Sequence, residues 1–296
     1  MARAGRMRIV HGIRDVHRAV AAWRRRGERV AFVPTMGAIH DGHVEVMGRA
    51  RRTADRLVVS VFVNPLQFGP NEDYRRYPRP RDADRRRIAG AGADLLWEPE
   101  VDAMYPQGDR TRVRVLGLDA VLEGASRPGH FEGVATVVLK LLNAVQPDVL
   151  GLGQKDAQQA RVIEQMVGDL FVPVRVRRAP TARERDGLAR SSRNAYLDSG
   201  ERAQAVALSR GLAEARRALA SGERRASAIA RAVRSVWRRY PKVHEDYVAV
   251  VDADSLEPVR RVRGPVLVAV AARVGPARLI DNLKWSPGEG RGRDSS

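Results

Sequence analysis

The sequence predicts an α/β protein: a doubly wound parallel sheet that carries the chemistry, followed by a smaller α+β domain. Three observations predict it. Short apolar runs of strand character alternate with segments of helical periodicity through residues 29–178. Glycine-containing or polar junctions stand where those runs end. Beyond about residue 187 the texture changes to Ala- and Arg-rich amphipathic helices followed by further strands.

Residues 29–35 (RVAFVPT) read as a short buried strand, and after a glycine-containing turn 43–56 (HVEVMGRARRTADR) has the apolar spacing of a helix. The next run, 57–63 (LVVSVFV), is a β-branched buried strand. Strand, turn, helix and strand in such a short span form a right-handed βαβ unit with parallel strands. Further units follow as helix 82–91, strand 94–97, helix 132–145, strand 148–151, helix 156–170 and strand 173–178. Sheets of this kind collect ligands beyond the carboxyl ends of their strands. The smaller domain is read as helices 200–219 and 225–240 and strands near 245–251 and 265–273. The segment 179–199 contains Pro180, Gly187 and a Ser-Ser pair without periodicity, which places the domains at 1–187 and 188–286. Residues 287–296 (PGEGRGRDSS) are expected to be a disordered tail.

With 296 residues, 44% of them hydrophobic, the chain can fill a substantial core. It contains no cysteine, which excludes disulfides, thiol catalysis and cysteine-ligated metals. It has neither an apolar run long enough to cross a bilayer nor a secretion signal, so a cytoplasmic location is expected. The formal charge of +18 would by itself point to a nucleic-acid partner. Only four of the 53 basic residues are lysines, however, and the arginines are scattered along the chain. A general preference for Arg explains the charge equally well, and no aromatic interleaving marks an RNA-binding surface.

Four junctions concentrate polar chemistry. Residues 34–43 read PTMGAIHDGH, setting His40 and His43 at the start of a helix, where free N–H groups favour phosphate and glycines let a backbone approach a ligand. A lone His-x-x-His is more often a cap or a surface pair, and a zinc site would need further ligands. Residues 60–68 (SVFVNPLQF) end a buried strand in Asn64 and Gln67, amides that can bond a carboxylate or hydroxyl without competing charge. Residues 153–159 (GQKDAQQ) bring Lys155 to another helix start, a compact ammonium in a chain dominated by Arg. Residues 190–194 (RSSRN) offer hydroxyls and guanidinium groups suited to clamping a triphosphate, although alone they would pass for a polar linker.

Together and in this order, these segments resemble the pantothenate synthetase (pantoate:β-alanine ligase) family of the nucleotidyltransferase superfamily with HIGH- and KMSKS-type signatures. The resemblance runs through PTMGAIHDGH, VVSVFVNPLQFGPNEDYRRYPR, SRPGHFEGVATVVLKLLN, GQKDAQQ, DGLARSSRNAYL, YVAVVDADSLEPV and ARLIDNL, almost the whole chain. It implies a Rossmann-like catalytic domain at 1–187 and a smaller domain at 188–286 that opens with the clamp. It also implies a homodimeric ligase that uses ATP and Mg2+ to join pantoate to β-alanine through a pantoyl-adenylate.

By the same resemblance Pro34, Thr35, Met36, Gly37, Ala38, Ile39, His40, Asp41, Gly42 and His43 line the ATP site. His43 is the proton donor that stabilises departing pyrophosphate, and His40 faces the phosphates beside it. Gly153, Gln154, Lys155 and Asp156 match a nucleotide-binding stretch in which Lys155 neutralises phosphate charge. Thr181 and Ala182 edge the adenine, while Arg190, Ser191, Ser192 and Arg193 match the clamp. Gln67 and Gln159 match the glutamines that hold pantoate, with Asn64 close by, and Arg127 and His130 match an active-site segment. Asp84 is a candidate magnesium ligand, against its reading as an ordinary helix-start acid. Two positions depart from the family pattern: Arg190 stands where a hydrophobic residue, often Met, opens the clamp, and Asp41 replaces the commoner Glu. The HDGH element alone would equally fit a superfamily member that makes a dinucleotide or CDP-linked product, which leaves Gln67 and Gln159 without a task.

Overall fold

The computed structural model of the chain describes residues 7–70 and 72–287, so nearly all of the expected C-terminal tail lies outside the described residues. The described chain divides into two compact units. One takes the residues up to Ala120, Gly124–Gln154 and Gln159–Thr181; the other takes Val121–Glu123, Lys155–Gln158 and the residues from Ala182 onward.

The strands are β1 (Arg8–Val10), β2 (Val30–Thr35), β3 (Arg56–Val61), β4 (Leu95–Trp97), β5 (Val149–Gly153), β6 (Arg175–Ala179), β7 (Val243–Asp252), β8 (Val266–Val274) and β9 (Ala277–Trp285). The helices are α1 (Ile13–Arg24), α2 (Asp41–Arg51), α3 (Arg81–Gly90), α4 (Val101–Met104), α5 (Glu123–Ser126), α6 (His130–Val145), α7 (Ala157–Asp169), α8 (Ser199–Ala205), α9 (Ala207–Ala220) and α10 (Ala226–Trp237).

In the first unit six parallel strands run in the order β1-β4-β3-β2-β5-β6. The chain therefore proceeds from β2 outward through β3 and β4, then returns to the other side of β2 to lay down β5 and β6. The switch point between β2 and β5 is where a doubly wound sheet opens its binding crevice. Because both faces are covered, the central strands carry continuous apolar runs: Val30, Ala31, Phe32, Leu57, Val58 and Val59 are all fully buried. Ala31, Val33, Leu57 and Val59 pack with Ile39 of the β2–α2 connection, with Val46 and Met47 of α2 and with Ile88 of α3, so one core supports both the sheet and the loop at its end. Burial on this scale contributes about 1.5–3 kcal/mol per large aliphatic side chain.

The second unit is an antiparallel sheet β7-β8-β9 with α9 and α10 against it. Its core joins Leu208, Leu212 and Leu219 of α9, Ile229, Val233 and Trp237 of α10 and the inner residues of all three strands. A Cβ on Gly211 would stand 2.7 Å from Trp237 Nε1, which fixes a glycine where α9 meets α10.

Several elements differ from the sequence expectation. β1 and α1 precede the first predicted strand; β1 has only three residues, and the buried face of α1 is the modest set Val16, Ala19 and Val20. The helix expected at 200–219 is interrupted at Val206, where ψ relaxes to −15°. β9 has no counterpart in the expected pattern, because Asp281 and Asn282 break its apolar alternation although both are buried.

Candidate active site

β2 ends at Thr35, whose hydroxyl donates to Ser60 O (2.8 Å) and accepts from Gly37 N (3.3 Å), tying the strand end to β3. The chain then turns through Gly37 (φ +86°) and Ala38 (φ +50°). A side chain at 37 would have its Cβ only 3.0 Å from Asp84 Oδ2, so glycine is required there by space as well as by conformation. Asp84, from α3, accepts from Ala38 N at 2.9 Å and from Ile39 N at 2.7 Å. It is 3% exposed, and burial pushes its carboxyl above the usual range despite the opposing pull of those amides.

This staple delivers His40 to the N-cap of α2. Its Nδ1 accepts from Gly42 N (3.1 Å), and His43 Nδ1 accepts from His40 N (3.3 Å), a capping box built from two imidazoles. The rings stack with centroids 4.0 Å apart. An Nδ1 that accepts an amide proton carries none itself, so each neutral ring holds its proton on Nε2 and presents an N–H donor there. Asp41, in the first turn of α2, is paired with Arg87 (2.9 Å).

At the end of β3, Asn64 is 1% exposed and fully engaged. Its Oδ1 accepts from Tyr105 Oη (2.7 Å) and Leu66 N (3.3 Å), and its Nδ2 donates to Gly133 O (3.0 Å) and Gln67 Oε1 (3.1 Å). Burial raises the Tyr105 phenol pKa, which keeps it a donor. Asn64, expected as a contact beside the acid, thus spends its amide on orienting Gln67. Gln67 Nε2 donates to Met36 Sδ (2.8 Å), a weak acceptor, and keeps a second N–H. The Gln67 carbonyl is braced by His130 Nδ1 (2.8 Å) and Arg127 Nη2 (3.2 Å). Arg127 Nη1 lies 3.0 Å from His130 Nε2, and as arginine can only donate, His130 is the Nδ1–H tautomer. Arg127 also forms a fork with Glu72. Arg127 and His130 therefore act on the backbone of Gln67.

Gly153 and Gln154 close β5, next to β2 across the switch point. The Gln159 side chain, on α7, makes no hydrogen bond among the described residues. Pro34 lies within β2, and Thr181 belongs to the first unit.

Lys155 and Asp156, expected within the first domain, group with the second unit. Lys155 Nζ lies 3.3 Å from Asp156 Oδ1, and its carbonyl accepts from Asn282 Nδ2 of β9 (2.8 Å). Ala182 opens a hairpin in which Arg190 N donates to Ala182 O (2.9 Å) and Arg183 pairs with Ala189. Arg190 pairs with Glu184 of that hairpin (3.1 Å), which accommodates its charge at the position expected to open the clamp. Ser191 caps a 3-10 turn, Ser192–Tyr196, by accepting from Arg193 N.

Asp84 does not fit the magnesium site expected of it, since both oxygens are committed to backbone amides. Among the described residues no group of three acidic or histidine side chains is arranged to hold a metal. Glu72 and Tyr105, which contact Arg127 and Asn64, are neighbours of the candidate site that sequence reasoning missed; a Glu in the polar stretch after Gln67 and a Tyr in a connecting segment carry no local signal of such a partner.

Residues 8–284 match the family model described as pantoate-beta-alanine ligase. The pantothenate synthetase of Moorella thermoacetica is 50% identical over 94% of this chain and 98% of its own. Among solved structures, pantothenate synthetase from Thermus thermophilus shares 47% identity with a TM-score of 0.88, covering 94% of this chain and 99% of that one. Pantoate-beta-alanine ligase from Francisella tularensis, described in complex with beta-gamma ATP and beta-alanine, shares 33% identity with a TM-score of 0.76, covering 94% and 97%. Both units and every junction described above fall inside these matches, and the chain belongs to the pantoate-beta-alanine ligase family.

Proposed function

We propose that this chain is an AMP-forming ligase that condenses pantoate with β-alanine at the expense of ATP. The observation that carries the reading in this molecule is the pair of stacked imidazoles capping α2 beside the β2–β5 switch point, each with an Nε2–H donor, with the braced amide of Gln67 at the end of the neighbouring strand.

A carboxylate and an amine do not condense readily in water, because the oxygen to be lost is a poor leaving group. In this reading the pantoate carboxylate attacks the α-phosphorus of ATP and pyrophosphate departs. The β-alanine amine then attacks the acyl carbon, and AMP departs with the bridging oxygen. Charge grows on the departing phosphates, so preorganised donors are the useful groups there. His40 and His43 supply Nε2–H donors at a helix N-terminus, with His43 the proton donor, and Lys155 supplies a cation. Gln67 and Gln159 hold pantoate with their remaining amide hydrogens. The stretch Gly153–Asp156, the edge at Thr181 and Ala182 and the clamp Arg190–Arg193 receive the nucleotide. Magnesium enters as part of the substrate, bound to ATP oxygens. Homodimeric assembly and a cytoplasmic location belong to the same reading; among the described residues no helix is long and apolar enough to cross a membrane. The positive charge then serves to draw polyanionic ATP toward the site.

The test is pantoate-dependent exchange of pyrophosphate into ATP without β-alanine. Wild-type protein is expected to exchange, and His43→Ala to lose about 10²–10³ in rate. Gln67→Ala with Gln159→Ala should abolish the pantoate-dependent exchange. A folded wild-type protein that performs no exchange overturns the reading.

A further inference from the structure

Two consecutive polar residues in the middle of β9 are buried, Asp281 at 3% and Asn282 at 8% exposure. Burial of such groups costs free energy unless each finds a partner, and an apolar pair would pack the strand at least as well. Asp281 Oδ1 accepts from Asn282 N within the strand (2.8 Å), and both side chains also reach partners outside it. Asn282 Nδ2 donates to the carbonyl of Lys155 at 2.8 Å. Asp281 accepts a two-pronged contact from Arg183 at 2.6 and 3.0 Å, and Arg183 in turn donates to Gly187 O at 3.0 Å. Arg183 begins the hairpin that ends at Arg190, where the clamp starts. Successive side chains leave a strand on opposite sides, so one dipeptide reaches two separate segments.

We propose that Asn282 is a positioning residue for Lys155 and that Asp281 does the same for the clamp hairpin. β9 thereby holds the ammonium and the clamp as one preformed half of the nucleotide site. This rests on the function proposed above. Neither residue touches substrate; each fixes main chain whose side chains do. The proposal assigns the pair to the adenylation half-reaction, because only that step expels pyrophosphate, whose charge Lys155 and the clamp would meet; the second step leaves charge on the AMP phosphate alone.

The test separates the two half-reactions in the full-length protein. For Asn282→Ala, pantoate-dependent exchange is expected to fall about ten- to a hundredfold, the cost of misplacing a catalytic group. Consumption of added pantoyl-adenylate by β-alanine should stay within about twofold of wild type in the same preparation, which also reports that the variant is folded. In a Lys155→Ala background the same substitution should cost nothing further, since the group it positions is gone. Should Asn282→Ala fail to fold, Asn282→Asp carries the same comparison, being isosteric but without the donor. Equal losses in both half-reactions, no loss in either, or a full multiplicative loss on top of Lys155→Ala would overturn the proposal. Absence of exchange in the wild type would instead overturn the functional reading beneath it.

Discussion

Asp84 shows how much of this site depends on a group that does no chemistry. A carboxylate accepts at both oxygens, which suits two adjacent N–H groups, whereas a primary amide presents one acceptor and one donor. Asp84→Asn therefore loses one of the bonds to Ala38 and Ile39 and brings two donors face to face. The expected cost is about 1–3 kcal/mol, read from urea denaturation midpoints. Exchange activity should fall more than stability implies, by about 10²-fold, because the same loop aims His40. In the sequence this residue is visible only as an acid near a helix start. Its pairing with a loop more than forty positions earlier follows from strand order, which no local pattern states. The histidines are legible because their spacing and the flanking glycines are a local signature. Their tautomers are not, since they follow from which amides each ring accepts.

The contact between α6 and the turn at Pro65–Gln67 is closer than side chains permit. A Cβ on Gly133 would stand 2.3 Å from Leu66 O, and it is Gly133 O that accepts from Asn64. Gly133→Ala should gain a little intrinsic helicity, about 0.5–1 kcal/mol, yet lose more by forcing α6 from the turn. We expect a lower melting temperature and a raised KM for pantoate with KM for ATP little changed, measured by steady-state kinetics. The long periodic helices and the buried runs of β2, β3 and β5 can be read from sequence because one physical signal, apolar spacing, defines them. β9 hides because its polar residues serve partners elsewhere in the chain. β1 hides because three residues are too few for any period to register.

Acid sensitivity reports on how distant parts of the first unit are joined. Glu28 lies between Arg56, on β3, and Arg26, and their hydrogen bonds hold its carboxyl down at about 2. A depressed carboxylate contributes stability that is present above its unfolded pKa of about 4.3 and is lost as pH falls toward the folded value. The difference in denaturation midpoint between wild type and Glu28→Gln should thus shrink from pH 6 to about pH 3; a constant difference would exclude the ion pair as its source. From sequence a change of texture is visible near residue 187, but neither the changeover at Thr181 and Ala182 nor the way the chain interleaves the two units can be read there. Val121–Glu123 and Lys155–Gln158 leave the first unit to join the second, where Glu123 pairs with Arg278 at 2.6 Å and accepts from Tyr247. Severing the chain at Ala182 would strip Arg278 of that carboxylate and Asn282 of the carbonyl it binds. The C-terminal portion is thus no portable module: grafted elsewhere or expressed alone it would carry orphaned polar groups, and recombination between relatives at this seam should succeed only when both short excursions travel with it.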